Sequence, residues 1–171
     1  MQQVEERPLR ESVKSRLIRF FCNLFPCYRR TGVQITFVAP DVSEIRIRLP
    51  LNWKTRGYNG TIFGGSMYGA IDPVYMTMIS WRLGRDYLAW DKGATIDFRK
   101  PGRRTLYATF RVSPAELEAI KSDLERVEKT ERVFEVVLVD DQSTVHAAFT
   151  KTVQIRKRNH VKVTEGSVVE K

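Results

Sequence analysis

The residues able to do chemistry lie between Tyr58 and Met78, "YNGTIFGGSMYGAIDPVYMTM". This run holds one charged side chain, Asp72, in a chain whose charged residues make up 29%. A carboxylate in an apolar segment is costly unless it is paired or hydrogen-bonded, and partial burial makes it a better base. Gly65 precedes it by seven residues, two helical turns away on about the same face. Gly64 and Gly65, placed at a helix N-terminus, expose backbone N–H groups that polarise a carbonyl or hold an oxyanion. Donor and base together suit the addition of water to a carbonyl. A structural role competes. Asp72 followed by Pro73 is also a helix opening, with Asp72 as N-cap and Pro73 in the first position. If the helix runs through instead, Pro73 forfeits the bond to the carbonyl of Gly69 and kinks it.

The elements that must position these residues are legible in the hydrophobic pattern. Residues Ser66 to Leu83 carry apolar side chains on nearly every face, Met67, Tyr68, Ile71, Val74, Tyr75, Met78, Ile79 and Trp81 among them. A helix of this kind belongs inside a core, and its length would be roughly 27 Å, with Gly84 placed to end it. Strands are expected over "GVQITFVAP" and "SEIRIRLP", joined by a turn at Pro40 and Asp41. Two more follow around the turn "KPGRR", with Ala94, Ile96 and Phe98 as one inward face and Leu106, Ala108, Phe110 and Val112 as the next. Ser113, Pro114 and Glu116 open a helix whose buried stripe is Leu117, Ile120, Leu124 and Val127. Strands over about 133–139 and 145–155 flank "DDQST". At the front, Leu9, Val13, Leu17, Phe20, Phe21 and Leu24 form the apolar stripe of a basic helix that Pro26 ends. Such a helix either packs its stripe on its own domain, the simpler reading, or lies on a membrane surface.

These parts make an α+β chain: an antiparallel sheet wrapped around a long central helix, an additional N-terminal amphipathic helix, and a helix between the fourth and fifth strands. Residues 1–30 form the N-terminal helix packed on the domain, 31–156 the domain itself, and 157–171 a mobile polar tail. The length of 171 residues suits one core. A net charge of +9 favours an anionic partner without choosing among nucleic acid, anionic lipid and a phosphorylated small molecule. No motif interleaves aromatic and basic residues for reading nucleic acid. Cys22 and Cys27 match no metal-ligand spacing and no disulfide framework, so neither a metal nor a cofactor is expected. No early apolar segment resembles a signal peptide, and a reducing, cytoplasmic compartment is the expectation.

"NGTIFGGSMYGAIDPVYM" followed by "WDKGATIDFRKPGRRTLYATFRV" resembles the hot-dog-fold acyl-CoA thioesterase superfamily, nearest a thioesterase-like family described as a domain of unknown function. The resemblance spans about residues 32–155. An acid seven residues after the second Gly is similar to the pattern of phenylacetyl-CoA-type thioesterases. It implies that Asp72 activates water or attacks the thioester, that the N–H of Gly65 polarises the carbonyl, and that two subunits of a homodimer or tetramer share each site. Phe63 stands where that branch commonly has His, and Gly57 where it commonly has Asn; the nearby Asn59 is the available substitute. Phe63, Gly64, Ser66 and Asn59 are accordingly expected at the substrate, with Ser66 also able to cap the helix. Arg99, Lys100, Arg103 and Arg104 around one turn are candidates for the phosphates of CoA, and Asp97 for their local charge partner. The activity implied is hydrolysis of an acyl-CoA. The alternative is a non-catalytic acyl- or lipid-binding hot-dog protein with peripheral membrane contact. A hydratase needs an Asp–His pair, and no His lies near Asp72 in the chain; His146 is expected on the polar face of a late strand, with His160 in the tail.

Overall fold

A computed structural model describes residues 10–158. In order the elements are α1 (Val13–Leu24), α2 (Pro26–Arg30), β1 (Gln34–Val38), β2 (Glu44–Leu49), α3 (Gly64–Ile71), α4 (Val74–Leu83), β3 (Tyr87–Phe98), β4 (Leu106–Arg111), α5 (Pro114–Arg126), β5 (Lys129–Val139) and β6 (Val145–Lys157). The strands form one antiparallel six-stranded sheet in the order β1-β2-β4-β5-β6-β3. Period-two alternation turns Ile45, Ile47 and Leu49 of β2, Leu106, Ala108 and Phe110 of β4, and Ala147, Phe149, Val153 and Ile155 of β6 into one buried face. Met67, Ala70 and Ile71 of α3 and Val74, Tyr75, Met78, Ile79 and Leu83 of α4 share a single core with them. Tyr75 stacks on Phe134 at 4.3 Å between ring centres and meets Phe110 edge-on at 5.2 Å, while its hydroxyl donates to the carbonyl of Glu135. The sheet wraps a central helical element, which is the hot-dog fold.

That central element is two successive helices, not one. Asp72 keeps helical dihedrals at the end of α3 and its N–H donates to the carbonyl of Tyr68. Pro73 follows with no N–H to give, so the ladder is interrupted and α4 restarts beyond it. Only the sheet side of the pair is buried: Tyr68 and Trp81 are exposed. α1 ends just before Pro26, as expected, and Pro26 then takes the first position of a separate short helix, α2, whose Tyr28 donates its hydroxyl to the carbonyl of Ala70 and ties the front of the chain to α3. β3 starts well before Ala94 and is the edge of the sheet; with one side unpaired, Ala94 and Phe98 are exposed instead of inward. In α5 the Ser113 hydroxyl accepts from the N–H of Glu116 as the capping pattern requires, but Val127 lies past the helix end and is exposed.

The largest departure is α1. It packs on β1 through Ser15, Ile18, Cys22 and Asn23, while the expected contact stripe points outward. Polar bonds decide this orientation. The Asn23 side chain both donates to the carbonyl of Ile35 and accepts from its N–H, and the Glu11 carboxylate accepts from the N–H of Val38. These contacts satisfy the free edge of β1, which an apolar face could not do. Leu9, His160 and the expected tail from residue 159 onward fall outside the described residues. Among the described residues no helix is long and apolar enough to cross a membrane.

Candidate functional site

Two clusters form at opposite ends of α3. The first surrounds its N-terminus. Gly64 and Gly65 are its first two residues, so their N–H groups precede the hydrogen-bond ladder of the helix. Neither glycine has a left-handed φ. Their smallness serves close approach: a Cβ on Gly65 would collide with the ring of Phe63, and one on Gly64 would lie 3.2 Å from the ring of Phe98. Phe63 is the N-cap by position and offers no side-chain acceptor to the helix. Ser66 is the third helical residue, buried, and is not the cap. Asn59 is exposed in the preceding turn. The N–H of Ile62 donates to the carbonyl of Gly102, which fastens the "KPGRR" turn beside the start of α3. The basic turn and the glycine pair therefore come together. Within the turn Arg99 pairs with Asp97 at 2.8 Å and Arg104 with Asp141 at 3.3 Å, while Lys100 and Arg103 are exposed.

The same turn is braced from behind by His146. The polar-face expectation for this residue does not hold: His146 is buried, with Nδ1 at 3.1 Å from the carbonyl oxygen of Pro101 and Nε2 at 3.1 Å from Asp140 Oδ2. Asp140 Oδ1 accepts in addition from the N–H groups of Gln142 and Thr144, closing the β5–β6 hairpin. The hydrogen bond from His146, then those backbone donors, hold the Asp140 carboxyl down at about 2. A carboxyl depressed below its ordinary 3.8 contributes stability that is fully present above that value and is lost as pH falls toward about 2. Urea unfolding midpoints should drop over that interval, and Asp140→Asn should flatten the drop; the same acid limb in both proteins would refute the assignment.

The second cluster lies at the end of α3. Asp72 is not an N-cap: α4 has no side-chain cap, and the residue before it is Pro73. The carboxylate goes elsewhere. Its Oδ1 accepts from the ammonium of Lys151 at 2.8 Å. Lys151 lies in β6 among Phe149, Val153 and Ile155 and is fully buried. Asp91 Oδ1 comes within 3.3 Å of the same ammonium, near enough for Coulomb attraction but without hydrogen-bond geometry. The β3–β6 register slips between Asp91 and Gly93, where Asp91 stands opposite Val153 and Lys151 opposite Ala94. Burial raises the carboxyl of Asp91 above the ordinary range, with the Lys151 charge opposing. Asp72, more than partial burial, pushes the phenol of Tyr68 up to about 12. Lys151 also sits 5.4 Å from the centre of the Tyr68 ring. The Asp72 side chain remains 40% exposed, so it is clamped from inside and open to water from outside.

Sequence reasoning missed Lys151 and Asp91. The signal for the first was present: in "HAAFTKTVQI" a lysine occupies an inward place in the alternation Ala147, Phe149, Lys151, Val153. A cleft of about 700 Å³ between α1, β1 and the loop after β2 is lined by Arg19, Arg29, Arg48 and Lys54, and touches neither cluster.

Comparison with known proteins supplies the family. The model described as "Domain of unknown function (DUF4442)" matches residues 14–155. The chain belongs to the DUF4442 family. No curated protein matches this DUF4442 chain in sequence. Among solved structures it is similar to a probable thioesterase of unknown function from Pseudomonas aeruginosa, PA5026, with a TM-score of 0.75 and 17% identity over 88% of this chain and 99% of that one. It is similar also to the thioesterase HI1161 from Haemophilus influenzae, with a TM-score of 0.64 and 11% identity over 89% and 98% of the two chains. The E. coli PaaI protein from the phenylacetic acid degradation operon gives 0.57 and 17% over 82% and 90%. At these identities the likeness establishes the shared fold.

Proposed function

We propose that this DUF4442 protein hydrolyses an acyl-CoA thioester, with Asp72 accepting the proton of the attacking water and the N–H of Gly65 donating to the carbonyl oxygen as it gains charge. The observation that carries the reading is the Asp72 carboxylate, held by Lys151 on one side and exposed on the other, on the helix whose first two residues are Gly64 and Gly65. An anion forming at those N–H groups is stabilised by the helix end as well as by the hydrogen bond.

The separation of the two groups determines the assembly this reading needs. Seven residues of helix place Gly65 and Asp72 about 10 Å apart along the axis. Oxyanion donor and base must both lie about 3 Å from atoms of one reacting centre. Groups on one copy of α3 cannot do so. The proposed site therefore takes Gly65 from one subunit and Asp72 from another. The unpaired edge of β3 is the surface through which two sheets join in a homodimer, with tetramers built from such pairs.

Lys100, Arg103, Arg99 and Arg104 are the proposed contacts for the CoA phosphates, because the basic turn sits beside α3's N-terminus. Lys100 and Arg103 are the informative pair to change, since Arg99 and Arg104 are engaged with Asp97 and Asp141. The variant Lys100→Ser/Arg103→Ser should raise KM roughly tenfold and leave kcat within a factor of about two, the signature of lost uniform binding. An unaltered KM would return the turn to the solvated surface.

Two observations favour a non-catalytic acyl-binding reading. Lys151 engages an oxygen of the only acid in the run from Tyr58 to Met78, and Phe63 stands where a His would help orient substrate. A panel of acyl-CoAs of rising chain length, assayed for release of free CoA thiol, tests the proposal. Release that depends on Asp72 supports hydrolysis; saturable acyl-CoA binding without release by any member supports the alternative.

A further inference from the structure

The outward face of α1 is unlike an ordinary helix surface. Val13, Leu17, Phe20, Phe21 and Leu24, with Phe25 just beyond the helix, are each 47–76% exposed. The polar side chains Ser15 and Asn23 are on the packed side instead. The helix is held by polar bonds inward and shows its apolar residues to the outside. A groove of about 480 Å³ with an almost wholly apolar lining opens beside the stripe, with Phe21, Phe25 and Trp81 at its walls, and extends the same face toward α4. Contiguous apolar surface of this kind marks an interaction site.

The charges around it indicate the occupant. Residues 10–31 contain six Lys or Arg and one acid. That acid, Glu11, is consumed by Arg19 and by the N–H of Val38. Arg10 just before α1, Lys14 and Arg16 on it, and Arg30 on α2 are exposed, while Arg29 lines the cleft beside β1. A second copy of the chain pairing through this face about a two-fold axis would bring like charges together. A layer of anionic headgroups would neutralise them while its acyl region received the phenylalanines and leucines.

We propose that α1 and α2 form a docking face for anionic lipid bilayers. α1 lies in the plane of the interface, its stripe sunk among the acyl chains and its arginines and lysine level with the phosphates. Neither Asp72 nor Gly65 lines the groove, although Pro73 does, and the proposal stands whether or not the protein hydrolyses thioesters.

Co-sedimentation of the full chain with vesicles tests it. Binding to vesicles of phosphatidylcholine and phosphatidylglycerol in a ratio of about 3:1 should exceed binding to phosphatidylcholine alone by roughly tenfold or more, and should fall steeply with added salt. Leu17→Gln/Phe20→Gln changes two exposed side chains and should preserve the circular dichroism spectrum while weakening vesicle binding by about tenfold. Lys14→Gln/Arg16→Gln should weaken binding to the anionic vesicles several-fold and leave binding to neutral ones as it was. Equal affinity for both vesicle types, or full binding by Leu17→Gln/Phe20→Gln, would overturn the proposal. So would light scattering in which that variant loses an oligomer while the wild type ignores vesicles; the face would then belong to a second copy.

Discussion

Asp72→Asn is expected to hydrolyse the best acyl-CoA about 10²–10⁴-fold more slowly than wild type, with KM nearly unchanged, the range for loss of a positioned proton acceptor. Stability should fall only modestly, by about 1 kcal/mol, because the amide oxygen can still accept from Lys151, which retains Asp91. A spectroscopic signature goes with the kinetic one. The Tyr68 phenol stands at about 12 chiefly because of Asp72. Once residue 72 is uncharged, that phenol should ionise at lower pH, and an ultraviolet titration of variant against wild type will show one tyrosine moving down. The two readouts separate the alternatives. A shifted tyrosine with wild-type turnover would leave the cluster as placed and remove Asp72 from catalysis. An unshifted tyrosine would dispute the geometry itself.

Much of this arrangement was legible from residue types alone. Alternation located each of the six strands, and Ser113, Pro114 and Glu116 located α5, because these signals are local. The glycine pair and its acid were legible for the same reason: a helix converts a seven-residue interval into two turns. What escaped was decided by tertiary contact. Asp-Pro is an honest helix-opening signal, yet the Asp72 side chain found Lys151, 79 residues away, and took no part in capping. Apolar periodicity in α1 identified a face correctly but not its direction, since Asn23 and Glu11, which pin the other side, look unremarkable in sequence. His146 was assigned to a surface because its neighbours alternate; its partners, the carbonyl of Pro101 and the carboxylate of Asp140, are set by the meeting of two turns.

Lys151→Met is expected to have the largest effect on stability of any single change considered. The side chain is fully buried and its ammonium holds two carboxylates, Asp72 at 2.8 Å and Asp91 at 3.3 Å. Removing one partner of a buried ion pair leaves an uncompensated charge and costs about 3–5 kcal/mol. Here the loss should lie near the lower figure. Asp72 is partly exposed and can be rehydrated, and Asp91, already raised by burial and deprived of the opposing charge, can escape by taking up a proton. That escape has a sign. A carboxyl raised in the folded state binds a proton more readily than in the unfolded chain, so the variant should lose most stability at neutral pH and regain part of it toward the acid side. Methionine nearly matches the lysine in length and fills the place between Phe149 and Val153 without a charge, so lost packing contributes little. The double variant Lys151→Met/Asp91→Asn should recover a substantial part of the loss, with a coupling of about 1–3 kcal/mol in a double-mutant cycle. Turnover should fall in Lys151→Met as well, because a carboxylate released from its clamp no longer points steadily at the substrate. Recovery of stability without recovery of turnover in the double variant would identify Lys151 as the residue that positions Asp72. Equal urea midpoints for Lys151→Met and wild type at neutral pH would sink the buried ion cluster, and with it the explanation of how an acid is held in this apolar run.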